Sequence, residues 1–367
     1  MNIGVLITSI SNFGEKGFYN SQEIGMSKAL SSLCNRVEVY KLVPMSQEES
    51  CEKVKEYPNV TLHCVPSENF GINGKIDVGV LDSTLDALVH FSDTQFSVPK
   101  VYKWAKKNQV RYIPYIGVVE SHSTSAVKRL ITNIKFKNNL RVYKKCECLA
   151  KTPQVQKKLN GLGIHDVTVA PVGLDMSLLR NDYGDVCIDE LKEKYGYSKE
   201  KKVLLFIGRL IDEKRPLERL KIFKNISEKD DNYELMLVGT GELKERVLET
   251  IRTYGIEEKV QYIEKLPNTQ IWELYCLADA FVNLNQQEIF GMAILEAMYY
   301  GCRVIAWKAP GPEFIIENGV SGWLVSNEQE LECRVFDNAD FSVNANSRIV
   351  NNFTWKSTAE TVCQLIK

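Results

Sequence analysis

The feature that most constrains the fold is an alternation of strand-like and helix-like segments that runs through the chain twice. Short apolar runs rich in β-branched residues are separated by longer segments with helical periodicity. Such alternation is typical of parallel sheets whose two faces are covered by helices. A polar, charged stretch at 180–202 separates the two series. The pattern predicts an α/β protein with two Rossmann-like domains.

The predicted elements define the two domains. In the first half, predicted strands cover 3–8, 37–42, 61–65, 78–81, 112–119 and 167–171, and predicted helices include 21–33 and 100–108. In the second half, predicted strands cover 202–207, 234–238, 260–263, 280–284, 303–306 and 322–325, and predicted helices cover 216–225, 241–254, 269–277 and 292–300. We place the N-terminal domain at 1–175 and the C-terminal domain at 176–353. Ligands are expected beyond the carboxyl ends of the strands, in a cleft between the facing sheets.

Composition excludes several classes of protein. The chain has 367 residues with 46 Lys plus Arg against 47 Asp plus Glu, so its formal net charge is −1. Balanced charge gives no general attraction to nucleic acid, and no nucleic-acid partner is predicted. Ten cysteines without a CxxC pair indicate reduced thiols and a cytoplasmic protein, with no zinc framework. The sequence also lacks a complete GxGxxG, Walker A or HExxH motif, and no apolar run is long enough to span a bilayer.

Two cations follow the first strand of the second half. The apolar run ends at Ile207, and Gly208 and Arg209 come next, with Lys214 five residues later and Pro216 at the start of a helix. Arginine presents a planar fork that matches phosphate oxygens, and lysine presents a point charge. The segment therefore indicates an anion site at a strand–helix junction. A solvated basic loop is the structural alternative.

Two carboxylates follow a later strand. The strand at 280–284 runs into a polar loop that ends at Glu288, and a helix then begins near Gly291 and stops at Gly301. Glu296 lies inside that helix among apolar neighbours, so its carboxylate needs a partner. Hydroxyl groups of a ligand or an internal salt bridge would both serve. The start of the helix also offers free N–H groups to a phosphate.

Together these residues resemble a known family. Glu288 and Glu296, with seven residues between them, are similar to the E-x7-E motif of retaining nucleotide-sugar glycosyltransferases of the GT-B fold, and more narrowly of glycosyltransferase family four. The segment from Gly208 to Lys214 resembles that family's diphosphate motif. Further matches are the turn at 238–242, the segment at 274–280 that leads into E-x7-E, and the interdomain link at 171–175.

The resemblance implies a site and a reaction. Arg209 and Lys214 would hold the diphosphate and stabilise the leaving group, Glu288 would contact the donor sugar, and Glu296 would bind the ribose hydroxyls. The donor-binding residues that it implies are Gly14, Gly17, Gly208, Arg209, Lys214, Glu288, Phe290, Gly291, Met292, Ala293, Ile294 and Glu296. It implies no cofactor and no metal, because these cations and the helix end would take the metal's role. The co-substrate is a nucleotide-diphosphate sugar, with UDP-sugar preferred and GDP-sugar the other option.

The sequence departs from the family pattern at three places. Where members often carry a catalytic histidine, this chain has Glu120 with His122 close behind, so either is a candidate for catalysis. The usual EGFG reads Glu288-Ile289-Phe290-Gly291, and the usual GGxxE loop reads Pro310-Gly311-Pro312-Glu313-Phe314. These changes leave the identity of the donor sugar open. The family also implies that the last helix, 354–367, crosses back to the N-terminal domain.

One segment is far from neutral. Residues 121–146 contain seven Lys and Arg and no Asp or Glu: Lys128, Arg129, Lys135, Lys137, Arg141, Lys144 and Lys145. Apolar residues are interleaved with them, which is typical of a helix that lies on an anionic membrane surface. A packed helix with a solvated basic face is the alternative. We therefore expect a cytoplasmic protein that associates peripherally with the inner face of the cell membrane through 121–146.

The sequence thus predicts a metal-independent, retaining glycosyltransferase. It would move a hexose or N-acetylhexosamine to a glycan or lipid-linked acceptor in cell-surface polysaccharide or glycolipid synthesis. Two alternatives stay open: a catalytically silent partner subunit of another transferase, and an enzyme of the same fold with another reaction, such as a sugar-nucleotide epimerase or a phosphorylase.

Overall fold

The computed structural model describes residues 1–10, 21–70, 73–93, 95–119 and 126–367, and for 70 and 126–129 only the backbone. These residues form two compact units, Met1–Asp175 together with Phe353–Lys367, and Met176–Asn352. Each unit has its own parallel sheet and its own apolar core. Across the described part of the chain, no helix is long and apolar enough to cross a membrane.

The first unit is built on an eight-stranded sheet. Its strands, together with a small separate hairpin of β5 and β6, are β1 (Asn2–Ile7), β2 (Arg36–Pro44), β3 (Ser50–Val54), β4 (Tyr57–Ser67), β5 (Asn69–Phe70), β6 (Asn73–Gly74), β7 (Ala87–Phe91), β8 (Arg111–Ile116), β9 (Cys148–Ala150) and β10 (Val167–Val169). The strand order is β10-β9-β8-β7-β1-β2-β4-β3. Only β3 runs antiparallel to its neighbour among the described strands of this sheet, so the unit has the covered parallel sheet that the sequence predicts.

The second unit is built on a six-stranded parallel sheet. Its strands are β11 (Lys202–Ile207), β12 (Tyr233–Val238), β13 (Val260–Ile263), β14 (Ala280–Asn283), β15 (Val304–Trp307) and β16 (Trp323–Val325), in the order β13-β12-β11-β14-β15-β16. The chain therefore winds outward in one direction from β11 to β13 and then returns to the other side with β14. The loops after β11 and β14 lie at this switch point, where open α/β sheets bind their ligands.

Thirteen α-helices lie in the described residues. Those of the first unit are α1 (Gln22–Ser31), α2 (Val98–Lys107), α3 (Ala126–Tyr143), α4 (Pro153–Gly161) and the last helix, α13 (Trp355–Ile366). Those of the second unit are α5 (Ile188–Lys194), α6 (Pro216–Lys229), α7 (Lys244–Tyr254), α8 (Ile271–Leu277), α9 (Met292–Tyr299), α10 (Pro310–Ile315), α11 (Glu328–Phe336) and α12 (Ser342–Asn352).

The last helix, α13, packs against α1 of the first unit. The link at 171–175 precedes the second unit and contains Gly173. A Cβ at this position would lie 2.1 Å from the backbone nitrogen of Trp355, which explains the glycine. The backbone N–H of Leu174 donates to the carbonyl of Phe353 (2.8 Å), and Lys28 Nζ lies 3.0 Å from Asp175 Oδ2. The backbone contacts fasten the end of the chain to the link, and the ion pair joins the link to α1.

Sequence-based prediction succeeded more fully in the second unit than in the first. All six predicted strands of the second unit are confirmed, each within one residue at either end. In the first unit, the predicted strand at 78–81 is wrong, because the Asp77 side chain accepts from the Gly79 N–H and holds Val78–Val80 in a short 3₁₀ turn.

Strand β7, which the prediction missed, is fully buried but carries a histidine, His90. The His90 Nδ1 lies 2.7 Å from the Tyr112 hydroxyl, and burial lowers the histidine's pKa to about 3.

Candidate active site

Two loops meet backbone to backbone at the carboxyl ends of β11 and β12. The Gly208 N–H donates to the Val238 carbonyl (3.0 Å), and the Leu210 N–H donates to the Thr240 carbonyl (2.9 Å). A Cβ on Gly239, whose φ is +144°, would lie 1.9 Å from the Gly208 carbonyl oxygen. Only glycine permits this approach. The loop after β11 is therefore held through its backbone.

The loop after β11 presents the two predicted cations. Arg209 is exposed, and its side chain has no hydrogen bond or ion pair within the described residues. Lys214 ends a 3₁₀ turn at Asp212–Lys214, and Arg215 then adopts left-handed backbone, with φ +52° and ψ +49°. Pro216 follows as the first residue of α6. A non-glycine residue in this conformation carries backbone strain, which is often found where a turn must present a functional group.

The loop after β14 is shaped by asparagine side chains. Asn283 Oδ1 accepts from the backbone N–H of Asn285 (2.9 Å), and Asn285 Oδ1 accepts from that of Gln287 (3.0 Å). Each bond satisfies a backbone donor that the strand can no longer pair. The loop ends at Gly291, which caps α9 with φ +106°. Glu288 lies between these asparagine-stabilised turns and Gly291, so the loop holds it in a defined position.

Lys214 and Glu288 form an ion pair that joins the two loops. Lys214 Nζ lies 2.7 Å from Glu288 Oε2, and these side chains are 19% and 16% exposed. Asn285 Nδ2 also donates to that oxygen at 3.0 Å. Burial acts to raise the pKa of Glu288, but the Lys214 charge and the hydrogen bonds outweigh it, so the pKa lies below its ordinary value. The carboxylate is thus held ionised beside a cation.

The second predicted carboxylate, Glu296, has a different environment. It lies in the second turn of α9, and the hydroxyl of Tyr275 on α8 donates to its Oε2 at 3.0 Å. Burial raises the pKa of Glu296 to about 7, against a partial lowering by that hydrogen bond. The predicted need for a partner is confirmed, and the partner is a tyrosine rather than a cation. The pKa values of the motif's two carboxyl groups are therefore shifted in opposite directions.

The start of α9 and the neighbouring loop complete this edge of the sheet. Phe290 is buried, and Met292 and Ala293 form the partly buried first turn of the helix, followed by the buried Ile294. The N–H of Gly311 on α10 donates to the Glu288 carbonyl at 2.8 Å.

The loop that departs from the family pattern supports Glu288 through its backbone. A Cβ on Gly311 would lie 2.0 Å from the Phe290 carbonyl oxygen, so the retained glycine is needed for this contact. Glu313, in the first turn of α10, is exposed.

Sequence reasoning missed a supporting network behind the ion pair. Arg215 pairs with Glu218, and its guanidinium lies 5.4 Å from the centre of the Trp307 ring. With its amide oxygen turned toward them, Gln286 accepts from Arg215 Nη1 (2.9 Å) and Trp307 Nε1 (2.8 Å). The one available signal was the adjacency of Arg215 to Lys214, since Trp307 is distant in sequence. Four of the predicted site residues, Gly14, Gly17, Glu120 and His122, lie outside the described residues.

Known proteins are similar to the part of the chain that contains these loops. Residues 188–333 match the family model described as Glycosyl transferases group 1. The N-acetyl-alpha-D-glucosaminyl L-malate synthase of Bacillus anthracis is 31% identical over 135 residues, which is 37% of this chain and 35% of that protein. The alpha-monoglucosyldiacylglycerol synthase of Streptococcus pneumoniae is 23% identical over 193 residues, 52% of this chain and 44% of that protein. The chain thus spans less than half the length of these two relatives.

Solved structures are similar over the whole chain. Sucrose-phosphate synthase from Thermosynechococcus elongatus has a TM-score of 0.75 at 14% identity, covering 100% of this chain and 98% of that one. Anabaena HepE in complex with UDP and glucose has a TM-score of 0.69 at 16% identity, covering 100% and 99%. This chain has the GT-B fold. The predicted fold is therefore confirmed.

Proposed function

We propose that this protein is a retaining glycosyltransferase that uses a nucleotide-diphosphate sugar. The observation that carries the proposal is the Lys214–Glu288 ion pair at the switch point, beside the exposed Arg209. The match of 188–333 to a glycosyltransferase family supports it, because that segment contains all three residues. The second unit, residues 176–352, would bind the donor, and the first unit, residues 1–175 with 353–367, would bind the acceptor.

The proposed chemistry assigns each group a role. Arg209 and Lys214 would bind the diphosphate and stabilise the negative charge that grows on it as the glycosidic bond breaks. Glu288, held ionised, would accept hydrogen bonds from the donor sugar. Glu296, with a pKa of about 7, would bind the ribose hydroxyls, because a carboxyl near neutrality both donates and accepts. Glu120 or His122 would act at the reacting sugar.

We propose UDP-sugar as the donor, ahead of GDP-sugar, and no metal or cofactor. Solved structures of HepE that share the fold contain UDP or UDP-glucose, which supports the choice of base. In many proteins a divalent metal balances the charge of a diphosphate. Here the side chains of Arg209 and Lys214 would balance it. A chelator should accordingly leave turnover unchanged, and loss of turnover that added Mg²⁺ or Mn²⁺ restores would contradict metal independence.

We propose a glycan or lipid-linked acceptor at an anionic membrane surface. Helix α3 exposes Leu130 (61%), Ile134 (59%) and Ile131 (38%), and Phe96 beside it is 47% exposed. Lys135 Nζ lies 3.8 Å from the centre of the Phe96 ring. Exposed aliphatic side chains next to cations fit the interface of a bilayer, where each cation contributes about 1 kcal/mol. The names of two relatives, both alpha-monoglucosyldiacylglycerol synthases, agree with a lipid acceptor.

Vesicle sedimentation tests the membrane proposal. The double variant Leu130→Ser, Ile134→Ser should lose binding to vesicles that contain anionic lipid, while Leu178→Ser, at an exposed leucine (57%) of the second unit, should keep it. Binding should also fall with salt. Equal binding by both variants would contradict the assignment of this surface.

Titration calorimetry with UDP-, GDP- and ADP-sugars tests the donor site. Wild-type protein should bind a UDP-sugar, and Lys214→Met should weaken that binding at least 10-fold. The control Lys244→Met, at a lysine that is paired with Glu264 on the same unit, should not.

The remaining outcomes distinguish the alternatives. A protein that binds none of the donors would be a silent partner subunit. Turnover of the donor without an acceptor would indicate an epimerase, and dependence on inorganic phosphate a phosphorylase. Mass spectrometry and NMR of the product on lipid-linked acceptors would give the acceptor and the anomeric configuration, and an inverted product would contradict retention.

A further inference from the structure

Three strands of the first unit end side by side, and charged groups follow two of them. Strands β9, β8 and β7 are parallel neighbours in the sheet. Strand β7 ends at Phe91 and β9 at Ala150, and the residues just beyond these ends include Asp93 and Lys151. Open α/β sheets bind their ligands beyond the carboxyl ends of their strands. This edge is therefore the place to look for a ligand site in the first unit.

The Asp93 carboxylate is fixed through one oxygen and open at the other. Its Oδ1 accepts from the backbone N–H groups of Gly117 and Val118, the latter at 3.0 Å, at the start of the loop after β8. Its Oδ2 lies 3.7 Å from Lys151 Nζ, which is too long for a hydrogen bond, and these side chains are 25% and 14% exposed. Among the described residues, no donor lies within hydrogen-bond distance of Oδ2. That oxygen is free to accept from a ligand.

The Lys151 ammonium lies beside two aromatic rings. Its Nζ is 5.5 Å from the centre of the Phe91 ring and 5.2 Å from that of Tyr115. A Cβ on Gly117 would lie 2.5 Å from Lys151 Cδ, so the glycine leaves room for the lysine side chain. Within the described part of the chain, the contacts of this ammonium are the two rings and the distant Asp93 oxygen. Its N–H donors are thus available, although the side chain is mostly buried.

Unsatisfied polar atoms lie in the same strands and loop. The hydroxyl of Tyr115 on β8 is buried and has no hydrogen-bond partner among the described residues, and the same holds for Oε1 of Gln95 in the loop after β7. Buried polar atoms without partners cost free energy, and folded proteins leave few of them. This edge therefore combines a free carboxylate oxygen, a free ammonium and unsatisfied buried groups.

We propose that Asp93 and Lys151 bind two neighbouring hydroxyl groups of a neutral polyol, the acceptor of the transfer. One hydroxyl would donate to Asp93 Oδ2, and the oxygen of the next would accept from Lys151 Nζ. The two charges balance, so a neutral ligand fits, whereas a phosphate or carboxylate at this place would be repelled by Asp93. The inference rests on the proposed function and names the class of its acceptor, a sugar or glycerol unit with a free vicinal diol.

Saturation-transfer NMR in the presence of UDP tests this site. The neutral probes are methyl α-D-glucopyranoside and glycerol, and the anionic probe is glycerol 1-phosphate. Wild-type protein should bind at least one neutral probe and bind it better than the anionic one. Asp93→Asn and Lys151→Met should each lose the signal, whereas Lys157→Met, at an exposed lysine on α4, should keep it. Asparagine retains an oxygen for the two backbone N–H groups, so Asp93→Asn should melt within a few degrees of wild type.

Titration with a UDP-sugar separates the inference from the function beneath it. All three variants should bind the donor as wild type does, because the changes lie in the other unit. If wild-type protein binds a UDP-sugar but no neutral probe, or if both Asp93→Asn and Lys151→Met keep the signal, the inference is overturned while the proposed function stands. A preference for glycerol 1-phosphate would also overturn it. If one variant fails to fold, the other decides. Wild-type protein that binds no nucleotide sugar overturns the proposed function and the assignment of the polyol as its acceptor.

Discussion

Replacing Glu296 by glutamine should stabilise the protein, and the gain should depend on pH. The native pKa of Glu296 is raised from 4.5 to about 7 by burial, while the hydrogen bond that its carboxylate accepts from the Tyr275 hydroxyl acts in the opposite direction. Below pH 4.5 the carboxyl is protonated in both the native and the unfolded chain, so its ionisation has no effect. Between pH 4.5 and 7 the unfolded chain loses the proton and the native chain keeps it. The free energy of unfolding therefore falls over this range.

The size of the effect follows from the two pKa values. Each pH unit between them costs about 1.4 kcal/mol, so the native state loses about 3 kcal/mol by pH 8. Glutamine has nearly the same shape and does not ionise. Glu296→Gln should consequently raise the free energy of unfolding by about 3 kcal/mol at pH 8 and by close to zero at pH 4.5. Tyr275→Phe should act in the opposite direction near neutrality, because it removes the hydrogen bond that favours the charged form.

Urea unfolding of wild type and Glu296→Gln at several pH values measures this difference. The matched control is Glu249→Gln, at an exposed position on α7 of the same unit. Its free energy of unfolding should follow that of wild type at every pH. A Glu296→Gln difference that does not change between pH 4.5 and 8, or a loss of stability at pH 8, would refute the reasoning. The same variant should bind a UDP-sugar more weakly, since glutamine cannot reproduce the carboxylate toward two ribose hydroxyls.

Three further predictions concern the switch point. Lys214→Met should lower kcat/KM about 100-fold or more, because a cation on the leaving group is lost, while Lys244→Met leaves it within about twofold in a steady-state assay. Glu288→Gln should lower kcat by about 100-fold with a melting temperature within a few degrees of wild type; wild-type turnover would remove Glu288 from the site. Gly239→Ala should destabilise the second unit by about 2–4 kcal/mol in urea, because its Cβ would lie 1.9 Å from a backbone oxygen. Gly184→Ala, with no atom within 4 Å, is its control and should differ from wild type by less than about 1 kcal/mol.

The strands of the second unit could be predicted from local sequence. Its six strands are short and mostly apolar, so their positions could be predicted to within one residue. The residues that follow β11 and β14 could be predicted as a site for the same reason, since parallel strands place their carboxyl ends at one edge. The first unit was less predictable. His90 interrupts the apolar pattern of β7, and only its contacts with Thr8 and Tyr112 show how the core accommodates an imidazole.

By itself, the sequence determined the α/β class and the positions of the six strands of the second half along the chain, and it pointed to Arg209, Lys214, Glu288 and Glu296 as candidate site residues. Tertiary structure alone decided in which direction the pKa of each carboxyl group shifts, downward for Glu288 and upward for Glu296. Lys214 and Glu288 are 74 residues apart and meet only because β14 returns beside β11. Local sequence cannot predict these pKa shifts, because the free energy of a charged group depends on the groups and the water that surround it after folding.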